Sequence, residues 1–202
     1  MNKKTALGIK IALVILNVVL VYVLFESINK PIRYERIRAD RHEVVKRTLE
    51  QIRELQVTYR GETGEFAGSF DELFLFADTG HVRIEERKDS SFPYFDEVYQ
   101  TEMLRDTVVV RVIDRVPVKQ HLFGADFDLD RLRFIPFTSR SREFSMASSN
   151  IYRQESRLPT FEVYAKDEDI MADLESEYGD YIDFDFQLQI GNIAEPSISG
   201  NW

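Results

Sequence analysis

Residues 6–25 (ALGIKIALVILNVVLVYVLF) are apolar apart from Lys10 and Asn17. Wound as an α-helix at about 1.5 Å per residue, they span roughly 30 Å, the hydrocarbon thickness of a bilayer. A helix satisfies its own backbone hydrogen bonds, so it is one of the few structures that lipid tolerates. A buried helix of a water-soluble core would not need so long a run without a polar face. The basic start (Lys3, Lys4) also suits a secretory signal. However, the run exceeds a usual signal core, and Glu26-Ser27-Ile28-Asn29-Lys30-Pro31 offers no small-residue cleavage site. The expectation is an uncleaved signal anchor: a single transmembrane helix in the inner (cytoplasmic) membrane.

The side of the bilayer rests on two opposed signals. Lys3, Lys4 and Lys10 precede or enter the span, and Lys30, Arg33, Arg36, Arg38 and Arg41 follow it. A count of basic residues alone would retain the larger part in the cytoplasm. The N-terminal tail, residues 1–5, is very short, and in a standard anchor the long C-terminal part is translocated. The expected topology puts the N-terminus inside and the main domain in the periplasm. Lys30 to Arg41 could also touch anionic lipid headgroups.

Composition excludes several functions. The chain has 202 residues and a net charge of −9; the three lysines up to position 10 supply +3, so the rest carries −12. Such a body repels phosphates, so nucleic acid is excluded as a partner. No cysteine is present, which removes disulfides, thiolate metal sites and cysteine nucleophiles. His42, His81 and His121 lack metal-ligand spacing. The run Asp126-Phe127-Asp128-Leu129-Asp130 would need Gly at position six and Glu at twelve to bind calcium, and those positions hold Arg131 and Phe137. Neither a glycine-rich phosphate loop nor a nucleophile motif occurs. No catalytic, cofactor-binding or metal residue is nominated, and the expectation is a protein that is not an enzyme.

Past the anchor, Pro31 predicts a bend or the start of a second helix. Residues 26–60 read as a membrane-proximal amphipathic helix. Val45, Leu49, Ile52, Leu55 or Gln56, and Tyr59 fall at helical spacing on one face. That stripe packs on the chain's own domain or forms a coiled coil with a partner. Asn17, a polar amide within the span, suits an interhelical hydrogen bond. The candidate helix–helix interface is therefore Asn17, Val45, Leu49, Ile52, Leu55 and Tyr59, with a homo-oligomer among its possible products. Gly61 is the expected helix stop. Ser69 with Glu72 forms a capping box ahead of a short helix from Phe70 to about Ala77.

Residues 61–190 read as a small α+β domain with a mostly antiparallel sheet and short helices. Strands are expected at 81–85, 106–114, 132–137, 143–146, 160–165 and, by strict alternation, 182–190. Residues 88–102 and 116–130 read as connectors, the first pinned by Phe92, Tyr94, Phe95 and Tyr99. Asp167-Glu168-Asp169 opens a helix that Gly179 stops. Residues 191–202 read as an extended or mobile tail.

The head of the chain resembles a type IV pilin or type II secretion pseudopilin. The likeness lies in an apolar helix that runs into an amphipathic one, then Tyr59-Arg60-Gly61-Glu62-Thr63-Gly64-Glu65-Phe66 and Ser69-Phe70-Asp71-Glu72-Leu73. Prepilin processing at Gly8 would place a glutamate five residues on, where this chain has Leu13. The layout also resembles the alignment proteins of type IV pilus and type II secretion platforms. The segments SFDEL, RDTVVVRVID and FDLDRLRFIPF are similar to uncharacterised membrane-anchored proteins of Bacteroidota. These resemblances imply an envelope location and no assigned activity. The expected function is a membrane-anchored scaffold subunit of an envelope assembly for secretion, pilus-like structures or translocation, docking other membrane or envelope proteins. The alternatives are a pilin-like filament subunit and a membrane-tethered ligand-binding module.

Overall fold

The computed structural model describes residues 3–96, 100–153 and 156–202. Its first element is a helix, α1, Lys3–Thr63, of 61 residues, about 90 Å long at 1.5 Å per residue. It runs through Pro31 without a break. The expected bend or restart is therefore corrected. Proline removes one intrahelical bond, here to the Ser27 carbonyl, and this turn is exposed enough for solvent to replace it. The stop also lies later than expected. Gly64, at φ +85°, takes the left-handed position after the helix and its N–H donates to the Arg60 carbonyl at 2.8 Å, while Gly61 stays helical.

α1 has two halves of different character. The large apolar side chains from Ile11 to Phe25 are 50–67% exposed, and this is the one helix among the described residues long and apolar enough to cross a membrane. Farther along, Tyr34, Val45, Leu49, Ile52 and Leu55 are at most 1% exposed. They pack with Leu73, Phe161, Val163, Leu188 and Ile190 in one core cluster. Fully burying a side chain of this kind is worth about 1.5–3 kcal/mol. The second half of α1 is thus the spine of the folded domain.

α2, Phe70–Thr79, begins as its residues dictate. Ser69 Oγ accepts from the Glu72 N–H at 3.3 Å, and Glu72 Oε2 accepts from the Gly68 N–H at 3.1 Å. Phe70, Leu73, Phe74 and Ala77 form its buried face. Two long strands follow, β1 (His81–Asp96) and β2 (Thr101–Pro117), paired antiparallel as a two-stranded ribbon. Residues 88–96 and 101–102, expected as connector, are ribbon. Cross-strand pairing of Phe92 with Arg105 and Pro93 with Leu104 continues the ladder. Tyr99 lies outside the described residues, as do residues 1 and 2 of the expected tail.

α3, Val118–Leu122, returns the chain to the domain. Residues 132–137 are a correction: a 3-10 turn, Leu129–Leu132, leads into a loop that pairs only at Phe134 with Glu143. Asp128 caps that turn through Asp130 N–H at 3.2 Å, and the Ile135 N–H donates to Arg142. The Ile135 bond belongs to that single bridge, and the Thr138 hydroxyl then donates to the Ile135 carbonyl at 2.7 Å, so the pairing goes no further. β3 (Ser145–Arg153), β4 (Ser156–Lys166) and β5 (Gln187–Gly191) form an antiparallel sheet with β4 central. The helix expected from Asp167 is broken into α4 (Asp167–Ile170), two 3-10 turns and α5 (Glu175–Tyr178).

The alternating run 182–190 yields strand only from Gln187. Asp183 Oδ1 accepts from the Asp185 N–H at 3.1 Å, and this side-chain turn halts pairing before it starts. Gly191, at φ +75°, ends β5; a Cβ there would lie 2.3 Å from the Phe161 carbonyl oxygen. The terminal segment, expected as extended or mobile, folds back instead. Gly191 N–H donates to Ser199 at 3.0 Å, and Asn201 Nδ2 donates to Gln187 at 2.8 Å.

The spine role of α1 has a measurable consequence. Leu49→Ala should lower the unfolding free energy of the detergent-solubilised chain by about 2–5 kcal/mol in denaturant titration, the usual cost of a large-to-small change in a packed core. A change within error would show that the stripe is not buried in the isolated molecule.

Candidate functional site: a buried aspartate clamp and an exposed ribbon

The expected interface residues divide into three fates. Val45, Leu49, Ile52 and Leu55 are 0% exposed. The chain's own sheet and α2 occupy that face, which corrects the reading of the stripe as a surface for another helix. Tyr59 is covered in part: its ring meets Phe76 edge-on at 5.1 Å and its hydroxyl donates to Glu72 Oε1 at 2.5 Å. That hydrogen bond, with burial and the Glu72 charge, pushes the Tyr59 phenol up to about 12. Asn17 stands on the exposed half, and its Nδ2 donates to the Leu13 carbonyl of its own helix at 2.9 Å. One of its two amide protons is thus bonded within the helix. Gln56, beside Leu55, is fully buried and bonds Ala67 twice: Nε2 donates to the carbonyl and Oε1 accepts from the N–H, both at 3.0 Å. This pair ties the 64–69 turn to the spine.

A second constellation joins α1 to a residue far along the chain. Tyr34, Arg38 and His42 stand at i, i+4 and i+8 on α1, one above another. All three point to Asp167, the first residue of α4, which is 0% exposed. His42 Nε2 donates to Oδ1 at 2.6 Å, Arg38 Nε lies 3.2 Å from Oδ2, and the Tyr34 hydroxyl donates to Oδ2 at 3.5 Å. The Asp183 N–H completes the set at 3.4 Å. Burial by itself would raise the Asp167 pKa. The His42 hydrogen bond, the Arg38 and His42 charges and the Asp183 N–H together outweigh it, so the carboxyl is held below its ordinary value. Tyr34 moves the other way: burial first, then the Asp167 charge, pushes its phenol up to about 12.

Neighbouring contacts widen the clamp. Arg41 grips Asp173 with both terminal nitrogens, at 2.5 and 2.8 Å, and also donates to the Ile170 carbonyl at 2.9 Å. The Arg41 hydrogen bond, helped by its charge and against the effect of burial, lowers the Asp173 pKa. Tyr178 and Tyr181 pack within 5.6 and 5.8 Å of the Tyr34 ring, and Lys30 Nζ sits over both. His42 stacks on Phe186 at 5.7 Å. The clamp thus fastens residues 167–186 to the part of α1 nearest its apolar half. Chemically it is a saturated electrostatic tie: each carboxylate oxygen of Asp167 already has donors from α1.

The ribbon is its opposite. Val108, Val109, Val110, Val112 and Ile113 are 45–58% exposed, Leu104 is 72% exposed and Phe95 61%. The root of the ribbon is held to the domain by Val118 N–H donating to Gly80 at 3.1 Å and by Arg83 Nε pairing with Glu62 at 3.3 Å. Beyond it, the described residues place no third strand along either edge. An isolated two-stranded ribbon is marginal in water, so this surface suits contact with another molecule.

The clamp makes an acid-dependent prediction. A folded-state pKa held below 3.8 means that Asp167 stabilises the fold above that pH, and that this contribution is lost as pH falls through the lowered value. Asp167→Asn should therefore destabilise the chain by about 3–5 kcal/mol at neutral pH, because Arg38 loses its counter-charge and His42 its carboxylate acceptor. Thermal unfolding of both forms should show the gap closing as pH falls below the ordinary aspartate value and through the lowered one. An equal gap at every pH would place the effect in packing, not charge. No family model, curated protein or solved structure matches this chain.

Proposed function

We propose that this chain is a single-pass, membrane-anchored structural subunit of a cell-envelope protein assembly. It acts by docking other membrane or envelope proteins and performs no catalysis of its own. One observation carries the reading: a single unbroken helix supplies both an uncovered apolar half and the spine of a folded domain. A domain so built moves with whatever holds its first half. On this reading residues 6–25 cross the inner membrane and the body stands in the periplasm.

The geometry supports a spacing role. Glu62, beside the ribbon root, lies 37 residues beyond Phe25, about 55 Å along the axis of α1. The clamp at Tyr34 lies only about 13 Å along it. The domain thus stands on the membrane at one end and offers an exposed ribbon at the other. Arg33 and Arg36 reach the headgroup zone on this reading and favour anionic lipid. A pilin-like filament subunit remains the second reading, favoured by the same continuous helix.

Two measurements test this. After alkaline carbonate washing, the chain should stay in the membrane pellet, and protease added outside the inner membrane should digest the body down to the anchor. Recovery in the soluble fraction would overturn the anchor. Intact mass should show residues 1–8 retained; their removal would favour the filament reading.

A further inference from the structure

The two edges of the ribbon differ in chemistry. Of the seven residues 83–89 on β1, six are charged: Arg83, Glu85, Glu86, Arg87, Lys88 and Asp89. Charge along an edge is the common device against unwanted pairing. β2 lacks it where β1 has it most: Val108, Val109 and Val110 face Asp89, Lys88 and Arg87 across the ladder. The β2 ladder runs without a shift from Thr101 to Val112, and its aliphatic part is Val108–Val110, between Asp106 and Arg111. A bulge then leaves Ile113 without a partner, between the pairs Glu85 with Val112 and Ile84 with Asp114, and reverses the alternation beyond it.

We propose that β2 pairs with β2 of a second copy of this chain, antiparallel, about a two-fold axis at Val109. This rests on the envelope-scaffold reading only for its setting in the membrane. A two-fold axis normal to a ribbon places residues of the same face opposite each other, so each residue meets one whose number differs from its own by an even step. Centred on Val109, the ladder runs from Asp106 to Val112, ends at the bulge, and sets Val108–Val110 of one copy on Val108–Val110 of the other. Val109 meets its own mate, Val108 meets Val110, Thr107 meets Arg111, and Asp106 meets Val112. No like charges stand opposite, and the three-valine run buries itself. A centre on Val110 would shorten the ladder to residues 108–112 and set Val109 against Arg111. The result is a four-stranded sheet whose outer edges are the charged β1 strands, so association stops at two copies.

The natural chain has no cysteine, so single cysteines report the geometry directly. In native membranes holding the full chain, V109C should be joined to its mate by a short thiol–thiol cross-linker, since directly opposed Cβ atoms lie about 4.5–5.5 Å apart. Lys88 pairs with Val109 on β1, so K88C is about 14 Å from its mate across three strand spacings. T107C is offset from its mate by four residues, again about 14 Å. V109C should therefore give on the order of tenfold more dimer than either, as these separations exceed thiol reach. As a second measurement, Val109→Lys should convert the dimer of the mildly solubilised chain to monomer.

No V109C dimer, equal dimer from K88C, or an adduct with a different protein would each overturn the pairing. Carbonate washing of the same cells keeps the two readings apart. A membrane-bound chain without V109C cross-linking sinks only the ribbon dimer. A soluble chain that still cross-links sinks only the anchor.

Discussion

The structure depends on one helix burying a stripe that it cannot bury alone. Val45, Leu49, Ile52 and Leu55 repeat every three or four residues and would expose four aliphatic side chains on a free rod. The domain supplies the cover: β5 crosses the helix, and Leu73, Phe161, Val163 and Leu188 fill the space against it. Everything downstream of Thr63 can be understood as an arrangement that returns the chain to this stripe. The Gln56–Ala67 pair turns the chain back immediately, α2 lies against the helix, and the clamp at Asp167 closes the far side. The apolar half has no such cover, which separates the two halves of a continuous helix by environment rather than by backbone geometry.

The clamp shows how charge is used where apolar contact would slip. Leucine and isoleucine stripes tolerate sliding by a turn, because one apolar side chain replaces another. A buried carboxylate that needs His42, Arg38 and Tyr34 together has one acceptable register. Misplacement by a turn would leave a buried charge without partners, a cost of several kcal/mol. The bidentate Arg41–Asp173 pair repeats the constraint one turn away at the domain surface. Apolar burial thus supplies most of the driving force, and the charged set determines where along the helix the sheet sits.

Local signals in the sequence were legible and distant ones were not. Ser69 and Glu72 are three residues apart, and their capping bonds form as the spacing requires. The β4 core strand and the stripe on α1 are equally plain from period alone. The run from Ile182 to Ile190 misleads because Asp183 has a shorter route to a hydrogen bond, through Asp185, than pairing provides. Residues 88–102 mislead the other way. Ser90, Ser91 and Pro93 signal a turn, yet the ladder with β2 extends through them, Ser91 Oγ donating to Asp106 Oδ1 at 2.7 Å. The stripe Tyr34, Arg38, His42 is visible at helical spacing, but its meaning sits in Asp167, 125 residues from His42, which no periodicity can join.

The ribbon and the spine pose opposite problems of stability, and the charge distribution answers both. A core stripe gains by excluding water, so its one buried polar side chain, Gln56, has both amide groups bonded to Ala67. A ribbon far from the core gains little from folding and risks pairing with any strand it meets. Charging one edge and leaving the other aliphatic resolves this only if the aliphatic edge has a preferred occupant, because an unprotected edge without one invites aggregation. The bulge at Ile113 ends the open edge on one side, and Asp106 and Arg111 bracket its aliphatic part. The ribbon root, where Arg83 meets Glu62, stands about 55 Å along α1 from Phe25.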